Sequence, residues 1–264
     1  MYDTGKLYTT FYFNNINPKK KSIIFTWDDN FEHHIKYIAP IFRSYHKKCT
    51  FYINPGETNF KDLLQRGYAT LAHEGFEIGS HGYTHHHYSK LLPNEQIYQL
   101  KKSKDEITNL LKIIPITFAF PHHDFTSELL SEAKKIYFET RNTLKNTPRF
   151  SLKSHTSLSN VKKAIDNAIS AHHSIVFSGH SVSLNTDSMY DGYEPISIDI
   201  LEDIINLAVK CDEIIEICTF SQATLKEYII SNCQYTNQMF RLSKNQLAYL
   251  ETFGLTFKRI EELI

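Results

Sequence analysis

The chain reads as an α/β protein whose parallel strands close into a β/α barrel. Three observations predict this: short apolar runs without polar alternation recur, each is followed by an amphipathic stretch of helical length, and about seven such units fit into 264 residues. Strands that are apolar on both faces belong to parallel sheets covered by helices. That many sequential units favour a closed barrel over an open sheet.

Ser22–Asp29 (SIIFTWDD) is the first strand, followed by a helix near Phe31–Tyr45. Cys49–Asn54 (CTFYIN) is the second strand and Phe60–His73 its helix. Phe76–His81 (FEIGSH) is the third, followed by a long helix over Asn94–Lys112. Ile116–Pro121 (ITFAFP), a helix over Ser127–Lys135 and a short strand Tyr137–Arg141 come next. After a less regular stretch, Val161–His173 is helical and Ser174–Ser181 (SIVFSGHS) is a strand. The helices Ser197–Lys210 and Ser221–Ile230 flank the strand Glu213–Phe220. Residues 1–230 are thus the barrel and 231–264 a helical C-terminal extension. The extension reads first as a packed structural addition and second as a surface for assembly into a homo-oligomer.

Composition excludes several classes. Hydrophobic residues make up 41% and charged residues 22%, which is the make-up of a globular chain with a sizeable core. Lys+Arg and Asp+Glu are both 29, so no basic excess exists to grip a nucleic-acid backbone. No stretch approaches the roughly 20 apolar residues of a membrane span. Met1–Lys6 lacks the basic-then-apolar pattern of a secretory signal, so a cytoplasmic protein is expected. Cys49, Cys211, Cys218 and Cys233 form no CxxC pair and read as reduced core thiols. The 14 histidines are the unusual feature, because histidine is the commonest metal ligand and the acid–base group of neutral pH.

Barrels carry their chemistry at the C-terminal ends of the strands, which here are Asp28-Asp29, Asn54, His81, Pro121-His122, Arg141 and His180. Asp28 and Asp29 repel each other unless a cation or proton lies between them. The other reading of this pair is an N-cap for the following helix. His81 and His85 have a His-x-x-x-His spacing, which sets two imidazoles on one face of a helical turn. With one carboxylate they make a three-ligand metal site with open positions, as catalytic metal hydrolases need. His86 and His87 read as surface or supporting residues. His180 is either a hydrogen-bonded core histidine or, beside a metal site, a general acid.

These residues resemble the NodB-type polysaccharide deacetylases, metal-dependent carbohydrate esterases with a distorted (β/α)7-8 barrel. Thr26-Trp27-Asp28-Asp29-Asn30 resembles the family's Thr-Phe-Asp-Asp-Gly, and His81 to His85 matches its His-(Ser/Thr)-x-x-His. Ala119-Phe120-Pro121-His122 retains the proline of Arg-x-Pro-Tyr, and Ser178-Gly179-His180 partly reproduces Leu-x-His. The resemblance, over roughly residues 20 to 230, implies Asp28 as general base, His180 as general acid, and Asp29, His81 and His85 as metal ligands. It implies one divalent cation, zinc being the first choice for His₂Asp ligation and other transition metals chemically admissible. The His122 N–H, after Pro121, would hold the oxyanion, and the substrate would be an N-acetylated amino sugar of a glycan.

The sequence departs from the family at three places. Ala119 replaces the arginine that orients the catalytic aspartate, and Arg141 at the next strand end is expected to take its place. The family's fourth-motif tryptophan is absent, Trp27 being the only Trp. Ser178 replaces the leucine of the acyl pocket, with Phe177 beside it as the expected lining. Two further readings follow: a deformylase or amidohydrolase acting on a small sugar derivative, or a carbohydrate-binding pseudoenzyme.

Overall fold

The computed structural model describes residues 9–10, 20–60, 62–141, 144, 146–184, 194–236 and 239–263. A two-residue strand β1 (Thr9–Thr10) precedes the central strand β2 (Lys21–Asp28). A π-helical turn, His34–Ile38, leads into α1 (Ala39–Ser44), followed by β3 (Thr50–Ile53), α2 (Asp62–His73), β4 (Glu77–Ser80) and α3 (Pro93–Leu111). Then come β5 (Thr117–Phe118), α4 (Ser127–Ile136), β6 (Glu139–Thr140), β7 (Arg149–Ser151), α5 (Leu158–Ala171) and β8 (Ile175–Gly179). The chain continues with β9 (Val182–Ser183), β10 (Ile196–Ser197), α6 (Ile198–Lys210), β11 (Ile215–Cys218) and α7 (Phe220–Asn232). It closes with β12 (Gln234–Thr236), β13 (Met239–Leu242), α8 (Lys244–Glu251) and α9 (Phe257–Leu263).

Local chemistry sets these boundaries. Thr126 and Ser157 accept hydrogen bonds from Leu129 N and Asn160 N and so cap α4 and α5. Thr219 and Gln222 form a reciprocal capping box on α7, and α3 starts at Pro93 and stops at the left-handed Lys112.

The main sheet is parallel in the order β6-β5-β4-β3-β2-β8-β7, with β11 also on β2. β2 has a divided edge: Lys21–Ile24 pair with β11, while Thr26–Asp28 pair with β3. Its other edge pairs Ile23–Trp27 with β8. The sheet curls into a half-barrel wrapped by helices, the distorted (β/α) barrel expected, but its closure is incomplete. Among the described residues no pairing joins β6 to β7, the two ends of the ladder, which are only two and three residues long.

Alternation along the strands sorts the side chains. Ile23, Phe25, Trp27, Phe51, Ile53, Ile78 and Phe177 pack outward against Phe42, Leu64, Leu71, Ile165 and Leu201 of the helices. The opposite face turns Thr26, Asp28, Thr50, Tyr52, Glu77 and Thr117 toward one another inside the barrel. A second core joins Ile116, Phe138, Leu225 and Ile229 to Leu242, Leu250, Phe253, Leu255 and Ile260 of the C-terminal segment.

That segment is not helical throughout, as the sequence had suggested: β12 and β13 precede α8 and α9, and β13 pairs antiparallel with β1. Its strand partner lies at the other end of the chain, out of reach of any local pattern. All four cysteines are free thiols, and no helix among the described residues is long and apolar enough to cross a membrane.

Candidate active site

Asp28 is the last residue of β2 and faces the barrel interior, only 5% exposed. Arg141, one residue past β6, crosses the interior to meet it. Its Nη2 donates to Oδ2 at 2.6 Å, and its Nη1 donates to Oδ1 and, at 3.0 Å, to the Thr26 hydroxyl. The guanidinium also lies over the Tyr52 ring, 5.1 Å from its centroid. Burial alone would raise the Asp28 carboxyl. The charge of Arg141, together with its hydrogen bonds, outweighs it and holds the group well below the usual carboxylate range. Asp28 is therefore an ionised, oriented carboxylate at neutral pH.

Asp29 would point to the helix side if β2 simply continued. Its φ of 70° breaks the alternation and turns it to the barrel mouth, a left-handed conformation that Asp tolerates better than most residues. There its Oδ1 lies 3.2 Å from His85 Nε2 and 3.7 Å from His81 Nε2. Three donors on an ion at zinc-like bond lengths sit roughly 3.4 Å from each other, so these spacings fit one divalent cation. Among the described residues, Asp29, His81 and His85 are the group able to hold a metal.

The tautomer of His81 supports the same reading. Its Nδ1 is 2.7 Å from the Ala119 carbonyl, which can only accept, so Nδ1 carries the proton and Nε2 turns a lone pair toward Asp29. A lone pair facing a carboxylate is repulsive without a cation between them, and this carbonyl–His–metal arrangement is how metal-binding histidines are held. Burial pushes the His81 imidazole down to about 3, so the ring is neutral and its Nε2 lone pair is open to a cation.

The His-x-x-x-His spacing works here for a reason other than the helical turn expected. Residues 81–87 form no helix, and Gly82 has a φ of 85°. A Cβ on Gly82 would stand 3.0 Å from the Tyr88 hydroxyl and 3.3 Å from the Thr84 carbonyl oxygen. The loop is shaped by this glycine, and it brings the two rings to 5.2 Å.

Pro121 is buried beside Gly82, and the two residues after it are both left-handed, with φ of 55° at His122 and 58° at His123. Such backbone is costly for residues with a Cβ and gathers at functional sites. It sets the His122 ring 4.3 Å from His85 and stacks it at 3.7 Å on His87. His180 follows β8, whose last rung pairs Gly179 with Trp27, so Asp28 and His180 stand side by side at the mouth. The two are close enough for His180 to contribute to lowering the Asp28 pKa.

Phe177 requires a correction. It is fully buried on the helix side, stacked on Phe25 at 5.3 Å, and cannot line an acyl pocket. It stands three residues before His180, on the opposite face of the strand; Ser178 is the neighbour that shares the interior face.

Sequence reasoning placed Asn54 at a strand end without giving it a role, and missed the roles of Asn30 and Glu57. The Asn54 side chain donates to the carbonyls of His81 and Gly82, and Asn30 and Asn54 exchange two hydrogen bonds, tying the aspartate turn to the histidine loop. The Glu57 carboxylate accepts from the His85 backbone N–H at 2.8 Å. Polar residues just past a strand end were the available signal.

Known proteins resemble this chain in part of its sequence and in its fold. The uncharacterized protein YlxY of Bacillus subtilis (strain 168) is 26% identical over 121 residues, 44% of this chain and 36% of that protein, so the chain matches little more than a third of its curated relative. The Xyl-CE4 domain of a multidomain xylanase from the hindgut metagenome of Trinervitermes trinervoides superposes with a TM-score of 0.58 at 17% identity, over 82% of this chain and 96% of that one. The peptidoglycan deacetylase PdaC from Bacillus subtilis does so with 0.54 at 19%, over 80% and 94%. At these identities the likeness is one of fold. Residues 15–140, the stretch holding β2 to β6 and with them Asp28, Asp29, His81, His85 and Pro121-His122, match the model of the family described as polysaccharide deacetylase.

Proposed function

We propose that this protein is a metal-dependent deacetylase that removes N-acetyl groups from amino sugars of a glycan. The observation that carries the reading is an ionised Asp28, clamped by Arg141, immediately next to the Asp29–His81–His85 donor set. A divalent cation held there, zinc being the first choice, would supply Lewis-acid polarisation of the acyl carbonyl and a more acidic water.

The chain's own groups do the rest. Asp28 takes the proton of the attacking water at a carboxylate oxygen, and Arg141 keeps that carboxylate aimed and charged. The His122 backbone N–H donates to the oxygen that becomes anionic. His180 returns a proton to the departing amine nitrogen.

The test is a screen of acetate release from N-acetylated glucosamine oligomers and peptidoglycan fragments, with metal content measured in parallel. One divalent ion per chain and stoichiometric acetate are expected. Formate from N-formylated sugars in place of acetate identifies a deformylase instead. A fully metal-loaded protein that binds glycans but turns none over overturns the hydrolase reading.

A further inference from the structure

The His33-His34 pair follows the aspartate turn, and the acid–base scheme above does not use it. His34 is fully buried and opens the π-helical turn His34–Ile38. Such turns are rare and occur often at functional sites. The ring packs against Phe51 at 5.0 Å between centroids and spans two elements. Nε2 lies 2.6 Å from the carbonyl oxygen of His180, and Nδ1 lies 2.8 Å from the Tyr68 hydroxyl.

The tautomer follows from the partners. A carbonyl can only accept, so the His34 proton is on Nε2, and Nδ1 must accept from the Tyr68 O–H. Tyr68 comes from α2, and its hydroxyl also sits 3.5 Å from the Asp29 carbonyl. Burial pushes the His34 imidazole down to about 3, so it keeps a single ring N–H throughout the neutral range.

We propose that His34 is a positioning residue: its Nε2–H anchors the His180 carbonyl and so sets the His180 imidazole beside Asp28 at the barrel mouth. His180 is the first residue beyond the last β2–β8 rung, and its carbonyl receives the Nε2–H of His34 from the segment that follows β2, with Tyr68 holding the imidazole in the required tautomer. The inference rests on the reading of His180 as the acid of a deacetylase. Misplacing a reacting group by about 1 Å is enough to cost 10²-fold in rate.

The experiment compares His34→Phe, His34→Gln and Tyr68→Phe with the wild-type protein. Glutamine returns an N–H donor near the Nε2 position, whereas phenylalanine fills the space without one. His34→Phe should lower kcat about 10- to 100-fold while KM and metal content stay within about twofold. His34→Gln should recover most of that loss, and Tyr68→Phe should fall between them.

Equal kcat losses in the Phe and Gln variants would reduce His34 to packing and overturn the proposal, as would wild-type kcat in His34→Phe. Absence of wild-type turnover defeats the deacetylase reading instead. Ring nitrogen–proton NMR of the wild type tests the anchor apart from activity or variant folding. An Nε2–H signal for His34, assigned by its loss in His34→Gln, supports the anchor, and an Nδ1–H signal overturns it.

Discussion

Two carboxylates face the same barrel interior, Asp28 at its mouth and Glu77 deeper, and the protein treats them in opposite ways. Burial pushes both upward. At Asp28 a guanidinium reverses the shift. At Glu77 the partners are neutral dipoles: the hydroxyls of Thr50 at 2.8 Å and Thr117 at 2.5 Å, and the Ser221 N–H at 2.7 Å in the first turn of α7. Three good hydrogen bonds leave the Glu77 carboxyl still raised, whereas one full charge takes Asp28 far down. The difference separates a carboxylate kept ionised, the base of the proposed reaction, from one that latches β3, β5 and α7 together.

The sharpest way to break this comparison is Asp28→Asn. Its kcat should fall about 10²–10⁴-fold with metal content unchanged, because asparagine keeps the shape but cannot take the proton. Asp29→Asn should lose the metal as well. Metal analysis beside kcat for the pair decides, and an Asp28→Asn protein with near wild-type kcat removes Asp28 as the base.

Arg141→Ala comes next. It strands a buried carboxylate, which costs about 3–5 kcal/mol in denaturant unfolding. It should also raise the Asp28 pKa, so the acid limb of the rate profile moves to higher pH.

Glu77→Gln should cost less, about 1–3 kcal/mol, and its pH dependence has the opposite sign to that of Asp28. A carboxyl raised in the fold binds more protons folded than unfolded, so its contribution to stability declines as pH rises above 4.5. The deficit of Glu77→Gln should therefore shrink from pH 4.5 to pH 7. The deficit of Asp28→Asn should grow as pH rises through 3.8, since a lowered carboxyl stabilises above its unfolded value. Paired unfolding curves at pH 4.5 and pH 7 check the Glu77 slope, and curves run below pH 3.8 check that of Asp28, whose contribution is level above it. The smallest effect is His86→Ala: the ring is exposed and bonded only to Thr84 among the hydrogen bonds described, so stability should move within about 0.5 kcal/mol and metal content not at all.

Much of the mouth was legible because it follows from period and position. Ile23 to Trp27 announce a strand, and whatever ends such a strand in a barrel stands at the mouth. Arg141 was found by this rule, without a motif. Phe177 was misplaced by ignoring the rule, since its offset from His180 already assigned it to the other face.

Glu77 was hidden as an ordinary polar residue in FEIGS; its meaning depends on Thr50 and Thr117 arriving from neighbouring strands. β7 and the β12–β13 pair were unreadable for a related reason. They are three or four residues long, and β13 finds its partner in β1 at the far end of the chain. The π-helical turn at His34 has no periodic signature of its own.

The divided edge of β2 has a consequence for how the protein is made. Lys21–Ile24 cannot pair on that side until residues 215–218 exist, and the β8 side waits for residues 175–179. A ribosome working from the N-terminus therefore releases the eight-residue β2, the longest strand of the sheet, early and its last partner late. Contacts of such sequence separation slow folding and leave strand edges open to other chains meanwhile. Fragments that stop before residue 215 expose that edge for good, so truncation from the C-terminus should yield insoluble material well before it reaches any residue of the site.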